Sequence, residues 1–298
     1  MLAQSEWTCI QEGIKLFLDA NVDNQSPRFW LSSGTIQEIQ PVSDRIKYRP
    51  GAFLPKEPWR EPSLTEYRRL SANEQISHLG SWELGSYIGV CRFPDEVLAP
   101  LEIILEEFKT RTETLQYYPS ASTHPDYESA MQKIINYSHR YCLSSDEPKL
   151  LGLRVTLPGL RTLTMEDADY FVGMHLDSWD RAPLRRRHQS RNRICINLGR
   201  EDRFFLFINL PLMEMFKALG LSDDEVYQHY RGTTVGDEFM KLYPDYPIVK
   251  LKIAPGEAYI APTDNLIHDA SSLGKQYPDI TLSFLGYFGI QSQQNQEC

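Results

Sequence analysis

From residue 150 onwards the chain consists of short apolar runs separated by Gly, Pro, Asp and Asn. Runs of this length, bounded by turn-forming residues, predict β-strands. About eight short strands are typical of a jelly roll, in which two sheets pack face to face and leave a mouth at one end. The predicted strands are 151–157, 160–165, 170–175, 193–198, 204–209, 248–253, 257–260 and 280–288.

The first 149 residues follow a different pattern. Apolar positions at helical spacing predict helices over 10–18, 95–118 and 127–141, separated by segments rich in Pro, Ser and aromatic residues. Pro100 must lie early in the second of these helices or kink it. We expect residues 1–149 to form a helical and loop region that packs on a core of residues 150–298, so that both make one structural unit.

Helical spacing returns between the fifth and sixth predicted strands. It covers 211–230 and continues to 242. An insert at this place would project over the mouth of the jelly roll, so we expect the segment at about 211–242 to act as a lid. Together these elements predict an α+β fold: a jelly-roll (cupin-like) core with N-terminal helices and a helical insert.

The length, composition and net charge limit the classes of protein to which this chain can belong. With 298 residues, of which 41% are hydrophobic, the chain can bury a substantial core. The net charge of −9 argues against nucleic-acid or anionic-membrane binding, and no apolar run approaches the roughly 20 residues that span a bilayer. Residues 1–7 lack the features of a secretory signal, so we expect a cytoplasmic protein whose five scattered cysteines are reduced.

Two histidines and an aspartate are candidate metal ligands: His175, Asp177 and His268. Side chains at positions i and i+2 of a strand point the same way, so His175 and Asp177 can hold adjacent corners of one metal. His268 supplies a third ligand from a distant segment. Two imidazoles and one carboxylate on one face are the set with which non-haem Fe(II) enzymes leave the opposite face open for co-substrate and O2.

A second His-x-Asp copy, His124 and Asp126, lies in the polar stretch 120–128. Asp126 is expected to cap the helix that follows, and we interpret this copy as structural. The copy at His175 instead ends the apolar run 170–174, as expected of a strand that carries a ligand to the mouth of a barrel.

The His175-x-Asp177 pair, the turn at 255–257, the strand at 258–261 and His268 together resemble the double-stranded β-helix core of Fe(II)/2-oxoglutarate-dependent oxygenases. The resemblance covers roughly residues 150–290. It implies a double-stranded β-helix, Fe(II) and 2-oxoglutarate as cofactors, and the three residues above as both metal ligands and catalytic residues. In this family O2 oxidises 2-oxoglutarate to succinate and CO2 while an unactivated C–H bond of the substrate is attacked.

The family usually holds the distal carboxylate of 2-oxoglutarate with an Arg shortly beyond the second histidine, or in one branch with a Lys. Here that region, 271–283, contains no Arg. A buried carboxylate still needs a paired cation. Arg193 is the first candidate, because its strand places it on one face with Asn197; Arg154 and Lys275 are the others. Candidate cofactor-binding residues are therefore Arg193, Arg154, Lys275, Asn197, and the hydroxyl donors Thr281 and Ser283.

Six arginines fall within 181–193, in a chain that is acidic as a whole. The run is either a solvated loop or, because it directly follows the metal pair, a rim that holds a carboxylate or phosphate of the substrate. Trp179 and Tyr259 are candidates for the pocket lining, or else ordinary core residues.

These observations predict an Fe(II)- and 2-oxoglutarate-dependent oxygenase for a small polar or amino-acid-like metabolite, anionic if the arginine rim takes part. Asp177 in the ligand set favours hydroxylation, desaturation or cyclisation over halogenation, because halogenases of the family replace that acid. Two other hypotheses stay open. One is an iron oxidase of the same fold that does not use 2-oxoglutarate, and the other is a cupin-like protein that binds a ligand without turnover.

Overall fold

A computed structural model of the chain describes residues 7–23, 27–38, 46–72, 82–109, 116–117, 123–166, 170–230 and 234–290. Within these ranges no helix is long and apolar enough to cross a bilayer. The α-helices are α1 (Leu64–Leu70), α2 (Asp95–Leu105), α3 (Tyr127–Ser138), α4 (Leu212–Ala218), α5 (Asp223–His229) and α6 (Thr234–Leu242). The strands are β1 (Lys15–Leu18), β2 (Phe29–Leu31), β3 (Thr35–Gln37), β4 (Phe53–Pro55), β5 (Tyr87–Arg92), β6 (Gln116–Tyr117), β7 (Lys149–Thr156), β8 (Met165–Glu166), β9 (Tyr170–Phe171), β10 (Asn192–Asn197), β11 (Arg203–Phe207), β12 (Val249–Ile253), β13 (Glu257–Ala261), β14 (His268–Ser271) and β15 (Asp279–Gly286).

Most of these strands belong to two sheets. The larger has the order β1-β5-β13-β10-β15-β7-β6 and the smaller the order β14-β11-β12-β2. In the larger sheet β10 lies antiparallel between β13 and β15, and in the smaller β11 lies antiparallel between β12 and β14. The sheets contact each other where the rings of Phe205 and Tyr259 stack with centroids 4.1 Å apart. The α+β class predicted from the sequence is confirmed.

Around β7, β10 and β15 the larger sheet has an apolar outer face and a mostly polar inner face. On β10, Ile194 and Ile196 alternate with Arg193 and Cys195, and alternate residues of a strand point to opposite faces. The isoleucines join an apolar cluster with residues of β7, β15, α2 and α3, so these two helices cover the outer face. Arg193 and Cys195 line a cavity on the other face. The polar inner face keeps this space from filling with apolar side chains.

The N-terminal half contributes strands as well as helices, which the sequence pattern did not predict. The prediction of a helix over 10–18 is wrong, because the segment ends in β1, which pairs in parallel with β5. Ile14 N–H donates to Asn209 O at 2.6 Å, and a Cβ on Gly13 would come 2.3 Å from the same oxygen. Contacts with distant residues hold this segment extended, since a helix this short is marginal by itself.

The helix predicted over 95–118 is shorter than expected. α2 ends at Leu105, and one 3-10 turn follows over Glu106–Phe108. Residues 110–115 and 118 lie outside the described residues, and 116–117 form β6. Pro100 lies at the midpoint of α2. The helix predicted over 127–141 is confirmed as α3 and a 3-10 turn that ends at Tyr141.

The strand predicted over 160–165 is wrong for most of its length, because only its last residue enters β8. Leu160 N–H donates to Ser272 Oγ (3.1 Å) and Leu163 N–H to Asp269 Oδ1 (3.0 Å), so side chains take the place of a neighbouring strand. β14 was not predicted as a strand, because its sequence is mostly polar although all four residues are buried.

The helical insert predicted over about 211–242 is present as α4, α5 and α6. Phe216 of α4 and Phe239 of α6 are buried in the same apolar cluster as the smaller sheet, so these two helices are parts of the core. Among the described side chains of α5, Val226 is the buried one. The prediction of a lid is therefore wrong for α4 and α6, and for α5 it stays a prediction.

A buried ion pair joins the N-terminal half to β13. Arg28 Nη1 and Nη2 lie 2.6 and 2.8 Å from Glu257 Oε2 and Oε1, with side chains 5% and 2% exposed.

Glu257→Gln should lower the free energy of unfolding, measured by urea denaturation, by about 3–5 kcal/mol, because it leaves the Arg28 charge buried and unpaired. Lys56→Met at the exposed pair with Asp245 is the control and should cost less than about 1 kcal/mol. Equal losses in both variants would contradict this account.

Candidate metal centre

The three predicted ligands meet at one end of the space between the sheets. His175 and His268 form an isolated antiparallel bridge, in which His175 N–H donates to His268 O (3.0 Å) and His268 N–H donates to His175 O (2.7 Å). Asp177 lies two residues further along the same segment, and its N–H donates to Thr263 O (3.1 Å). One ligand atom from each of the three side chains lies within 4.8 Å of the others.

Backbone carbonyls orient both imidazoles. His175 Nδ1 lies 2.8 Å from Gly173 O, and His268 Nδ1 lies 3.3 Å from Leu266 O, so each Nδ1 can donate and each Nε2 is left as a ligand. The two Nε2 atoms lie 3.6 and 3.4 Å from the Asp177 carboxylate. His268 Nε2 is buried and has no hydrogen-bond partner. A metal ion between these atoms would satisfy all three ligands, so the residues present fit a metal.

The metal-free cluster is electrostatically coupled. Burial by itself would lower the pKa of His175, but the nearby carboxylates of Asp177 and Asp269 outweigh it and raise that pKa to about 10. Burial would raise the pKa of Asp177, yet the nearby charge of Arg193 and the contacts with the two histidines hold it well below its usual range. Burial lowers the pKa of His268. At neutral pH a metal ion therefore meets an ionised carboxylate and one neutral imidazole, and has to displace a proton from His175.

The second oxygen of Asp177 has two donors of its own. Trp179 Nε1 and Arg193 Nη2 each donate to Asp177 Oδ2 at 2.7 Å. The Arg193 guanidinium also lies 5.3 Å from the centroid of the Trp179 ring. These contacts fix the rotation of the carboxylate and leave Oδ1 facing His175. Arg193 was predicted to hold the distal carboxylate of a co-substrate. It lies instead beside the predicted metal ligands His175, Asp177 and His268, which we call the metal cluster.

A polar cavity of about 130 Å³ runs from His268 along the inner face of the larger sheet. A buried charged cluster lies at its other end: Arg203 Nε is 3.3 Å from Asp279 Oδ2, and Lys275 Nζ is 2.8 Å from Asp279 Oδ1. Two cations share one carboxylate there, so the cluster keeps a net positive charge. Arg203 Nη1 also lies 3.0 Å from Cys195 Sγ.

Sequence analysis missed Arg203, which lies one residue before the strand predicted at 204–209. The alternation in β11 carried a signal, since Arg203 shares a face with Phe205 and Phe207. Phe205 stacks on Tyr259 inside the fold, and the same alternation turns Arg203 inwards. Its ion-pair partner Asp279 comes from a distant strand, and this pairing could not be read from the sequence.

The other predicted cofactor residues fall into two groups. Arg154, Thr281 and Ser283 line the cavity, as do Trp179 and Tyr259. The Asn197 amide instead makes three hydrogen bonds to nearby backbone groups at 2.9–3.0 Å. Its side chain stabilises the turn after β10, so we do not place it among the cofactor ligands.

A further carboxylate, Asp269, lies against His175 although it follows His268 in the sequence. Its Oδ1 accepts the backbone N–H groups of Leu163 (3.0 Å) and Thr164 (3.2 Å). Its Oδ2 lies 3.6 Å from His175 Nδ1 and has no hydrogen-bond partner. Asp269 thus connects the loop at 160–164 to one of the metal ligands.

The second His-x-Asp copy has no such surroundings. His124 Nδ1 lies 4.0 Å from Asp126 Oδ2, and both side chains are exposed. Among the described residues no third ligand joins them. Asp126 occupies the N-cap position of α3 but makes no side-chain capping bond.

No protein-family model matches the sequence, and no curated protein matches it. Several solved structures align over part of the chain, including the following three. Apo Kdo hydroxylase KdoO, a non-heme Fe(II) alphaketoglutarate dependent dioxygenase, has a TM-score of 0.35 and 14% identity over 71% of this chain and 81% of its own. Its cobalt(II) complex has a TM-score of 0.34 and 15% identity over 72% and 82%. GlcNAc Inducible Gene 2 (DUF1479) from Candida albicans has a TM-score of 0.39 and 10% identity over 69% and 61%. Sequence identities and TM-scores this low do not show that this chain has the activity of any of these proteins.

Changing any of the three ligands to Ala should weaken Co(II) binding at least about tenfold, the equivalent of 1.4 kcal/mol, because the remaining two cannot close the site. Anaerobic isothermal titration calorimetry measures the affinity, and circular dichroism checks that each variant folds. His124→Ala is the control and should bind Co(II) like the parent protein. An Asp177→Ala variant with unchanged affinity would rule out this site.

Proposed function

We propose that the chain is a non-haem Fe(II)- and 2-oxoglutarate-dependent oxygenase. The observation that carries the proposal is the convergence of the His175 and His268 Nε2 atoms and the Asp177 carboxylate at one end of a polar cavity. Two imidazoles and a carboxylate leave one face of an octahedral ion open, as a reaction between co-substrate, O2 and substrate requires.

The strand order supports a double-stranded β-helix core within residues 150–298. Along the chain β7, β10, β13 and β15 enter the larger sheet, while the bridge at His175 and strands β11, β12 and β14 belong to the smaller. Such repeated passage between two facing sheets is how a jelly roll winds. Residues 1–149 add β1, β5 and β6 to the larger sheet and β2 to the smaller, which supports one structural unit rather than two domains.

The residues around the ligands have separate tasks in this proposal. O2 takes up four electrons in all: oxidation of 2-oxoglutarate to succinate and CO2 would supply two, the C–H bond of the substrate would supply the other two, and Fe(II) held at this site would mediate their transfer. Arg193 and Trp179 hold one oxygen of Asp177, so that the other stays turned towards the metal. The carbonyls at Nδ1 of both histidines keep their Nε2 atoms in place.

We assign the distal carboxylate of 2-oxoglutarate to Arg203. Arg203 contacts Cys195, which follows Arg193 by two positions on the inner face of β10, and same-face residues of a strand are about 7 Å apart. Arg203 therefore lies one inward position further from the metal than Arg193, as the far end of a five-carbon diacid requires. Asp279 stands in the region where the family carries its Arg, and it pairs with Arg203 instead. Arg154 and Thr281 line the same part of the cavity.

The reaction that the ligand set favours is hydroxylation, desaturation or cyclisation of a small molecule at an unactivated C–H bond. Asp177 occupies the position at which a halide would otherwise bind, and Trp179 and Arg193 hold it there.

Anaerobic addition of Fe(II) and 2-oxoglutarate should give a weak visible charge-transfer band, because the band arises only when the 2-oxo acid chelates the iron. Succinate in place of 2-oxoglutarate, and the Asp177→Ala variant, are the controls and should give none. If Fe(II) binds without giving the band, and the rate of O2 consumption is the same with and without 2-oxoglutarate, the protein is an iron oxidase of the same fold. Ligand binding with no O2 consumption under any condition would identify a cupin-like binding protein.

Arg203→Met should raise the 2-oxoglutarate concentration that gives half of this band at least about tenfold, equivalent to 1.4 kcal/mol, since a charge-assisted pair is lost. The variant should fold, because Asp279 keeps Lys275 as its partner. Arg193→Met should instead weaken Fe(II) binding, because its guanidinium holds Asp177.

Arg200→Met, at an exposed arginine that pairs with Glu106, is the matched control and should leave both quantities unchanged. If Arg193→Met or Arg154→Met raises the 2-oxoglutarate requirement while Arg203→Met does not, the anchor is that residue and the assignment of Arg203 is wrong.

A further inference from the structure

A second, more open cleft of about 640 Å³ lies beside the metal cluster. Its walls come from the segment 181–183, the 3-10 helix Leu184–Gln189, α5 and Tyr230. It reaches Ser178, the residue after the ligand Asp177. We name it the arginine cleft after four lining residues, Arg181, Arg185, Arg186 and Arg187.

Arg187 is a buried cation with no carboxylate at ion-pair distance in the described part of the chain. It is 3% exposed, Nη1 donates to Asp177 O and Nη2 to Ser178 Oγ, both at 2.9 Å, and Nε has no hydrogen-bond partner. The equally buried Arg28 and Arg203 each have a carboxylate oxygen within 3.3 Å. Asp264 and Asp177 act on Arg187 electrostatically, but neither carboxylate forms an ion pair with it in the described part of the chain. A buried charge with no directly bound counter-ion is costly, so an anion in the cleft would stabilise Arg187.

The acidic side chains near the cleft are already engaged. Asp180 accepts from Arg191 Nε at 2.8 Å, and Asp264 accepts two backbone N–H groups at 3.0 and 3.3 Å. Arg181 and Arg186 are exposed and add further positive charge at the cleft. The cleft is therefore a local positive site on a chain whose net charge is −9.

The rest of the lining is mostly apolar. Part of it lies in the same segment as the arginines and part on α5 and Tyr230, whose hydroxyl donates to Glu238. A ligand that contacts both parts of the cleft has an oxyanion and an apolar body. The apolar lining residues are Ala182, Pro183, Leu184, Val226 and Tyr230.

We propose that the arginine cleft binds the oxyanion head, a carboxylate or a phosphate ester, of a substrate whose remaining body is apolar. This inference rests on the proposed function, because it treats the bound anion as the substrate. The sequence predicted a small polar substrate, and the cleft instead indicates an anion with an apolar body. Arg187, with Arg186 and Arg181, holds the oxyanion by charge-assisted hydrogen bonds. The apolar body packs against Val226 and Tyr230, beside the segment that carries Asp177.

Isothermal titration calorimetry on the metal-free protein tests this binding without iron or 2-oxoglutarate. The probes are octanoate as the carboxylate, octyl phosphate as the phosphate ester and octyltrimethylammonium as a cation with the same apolar chain. At least one anionic probe should bind at least about tenfold more tightly than the cation. The tighter of the two anions identifies the head group.

Arg187→Gln should weaken the preferred anion at least about tenfold. Because Arg187 also supports the backbone at Asp177, the double variant Arg181→Gln/Arg186→Gln at exposed positions provides a second test that does not disturb the interior, and it should weaken the same anion. Arg68→Gln, at an exposed arginine on α1, is the matched control and should bind like the parent protein.

Equal affinity for anionic and cationic probes would overturn the proposal, as would anion binding that the double variant leaves unchanged. Loss of binding in Arg203→Met but not in the cleft variants would locate the anion in the inner cavity and overturn it too. A failure here leaves the charge-transfer band of the metal centre unaffected, and absence of that band leaves probe binding unaffected, so the two proposals fail separately.

Discussion

Two backbone hydrogen bonds between His175 and His268 are the constraint on which the site depends. They join segments that are far apart in the sequence, and they hold the two imidazole rings with centroids 4.7 Å apart. Asp177 then reaches the same place because it lies two residues along the same extended segment. The spacing of the ligands is therefore set by the backbone, before a metal binds. Little conformational freedom remains to be lost on binding, which favours a tight and well-defined site.

The same alternation of side chains supplies stability on one face of the larger sheet and chemistry on the other. Outward residues such as Ile194 and Ile196 pack under α2 and α3, and this burial offsets the charge on the inner face. Inside, two buried arginines that line the cavity are paired with acids: Arg193 with Asp177, and Arg203 with Asp279. Replacing buried ion pairs such as these by well-packed apolar residues is often neutral or stabilising for a fold. The retained charges are what a site for charged ligands requires.

The spacing of apolar and polar residues predicted those features that depend on residues close together in the sequence. Strict alternation placed Arg193 on the inner face of a strand at 193–198, and helical spacing placed a helix at 127–141. The spacing of His175 and Asp177 predicted a shared ligand face, and the structure brings His268 to it. Features with distant causes were missed: residues 10–18 are held extended by contacts with Asn209 and β5, and β14 is polar although it is buried. The alternation in β11 turned Arg203 inwards, but its pairing with the distant Asp279 could not be read from the sequence.

The central claim is that His175, Asp177 and His268 hold one iron ion at the end of a cavity whose other end carries Arg203. The most direct measurement is anomalous X-ray scattering at the iron edge, from crystals grown anaerobically with Fe(II) and 2-oxoglutarate. The account predicts a peak bounded by the two histidine Nε2 atoms and the Asp177 carboxylate, with a carboxylate of 2-oxoglutarate in contact with the Arg203 guanidinium. A peak at other residues, or iron at the predicted place with Arg203 contacting only Asp279 and Cys195, would contradict it.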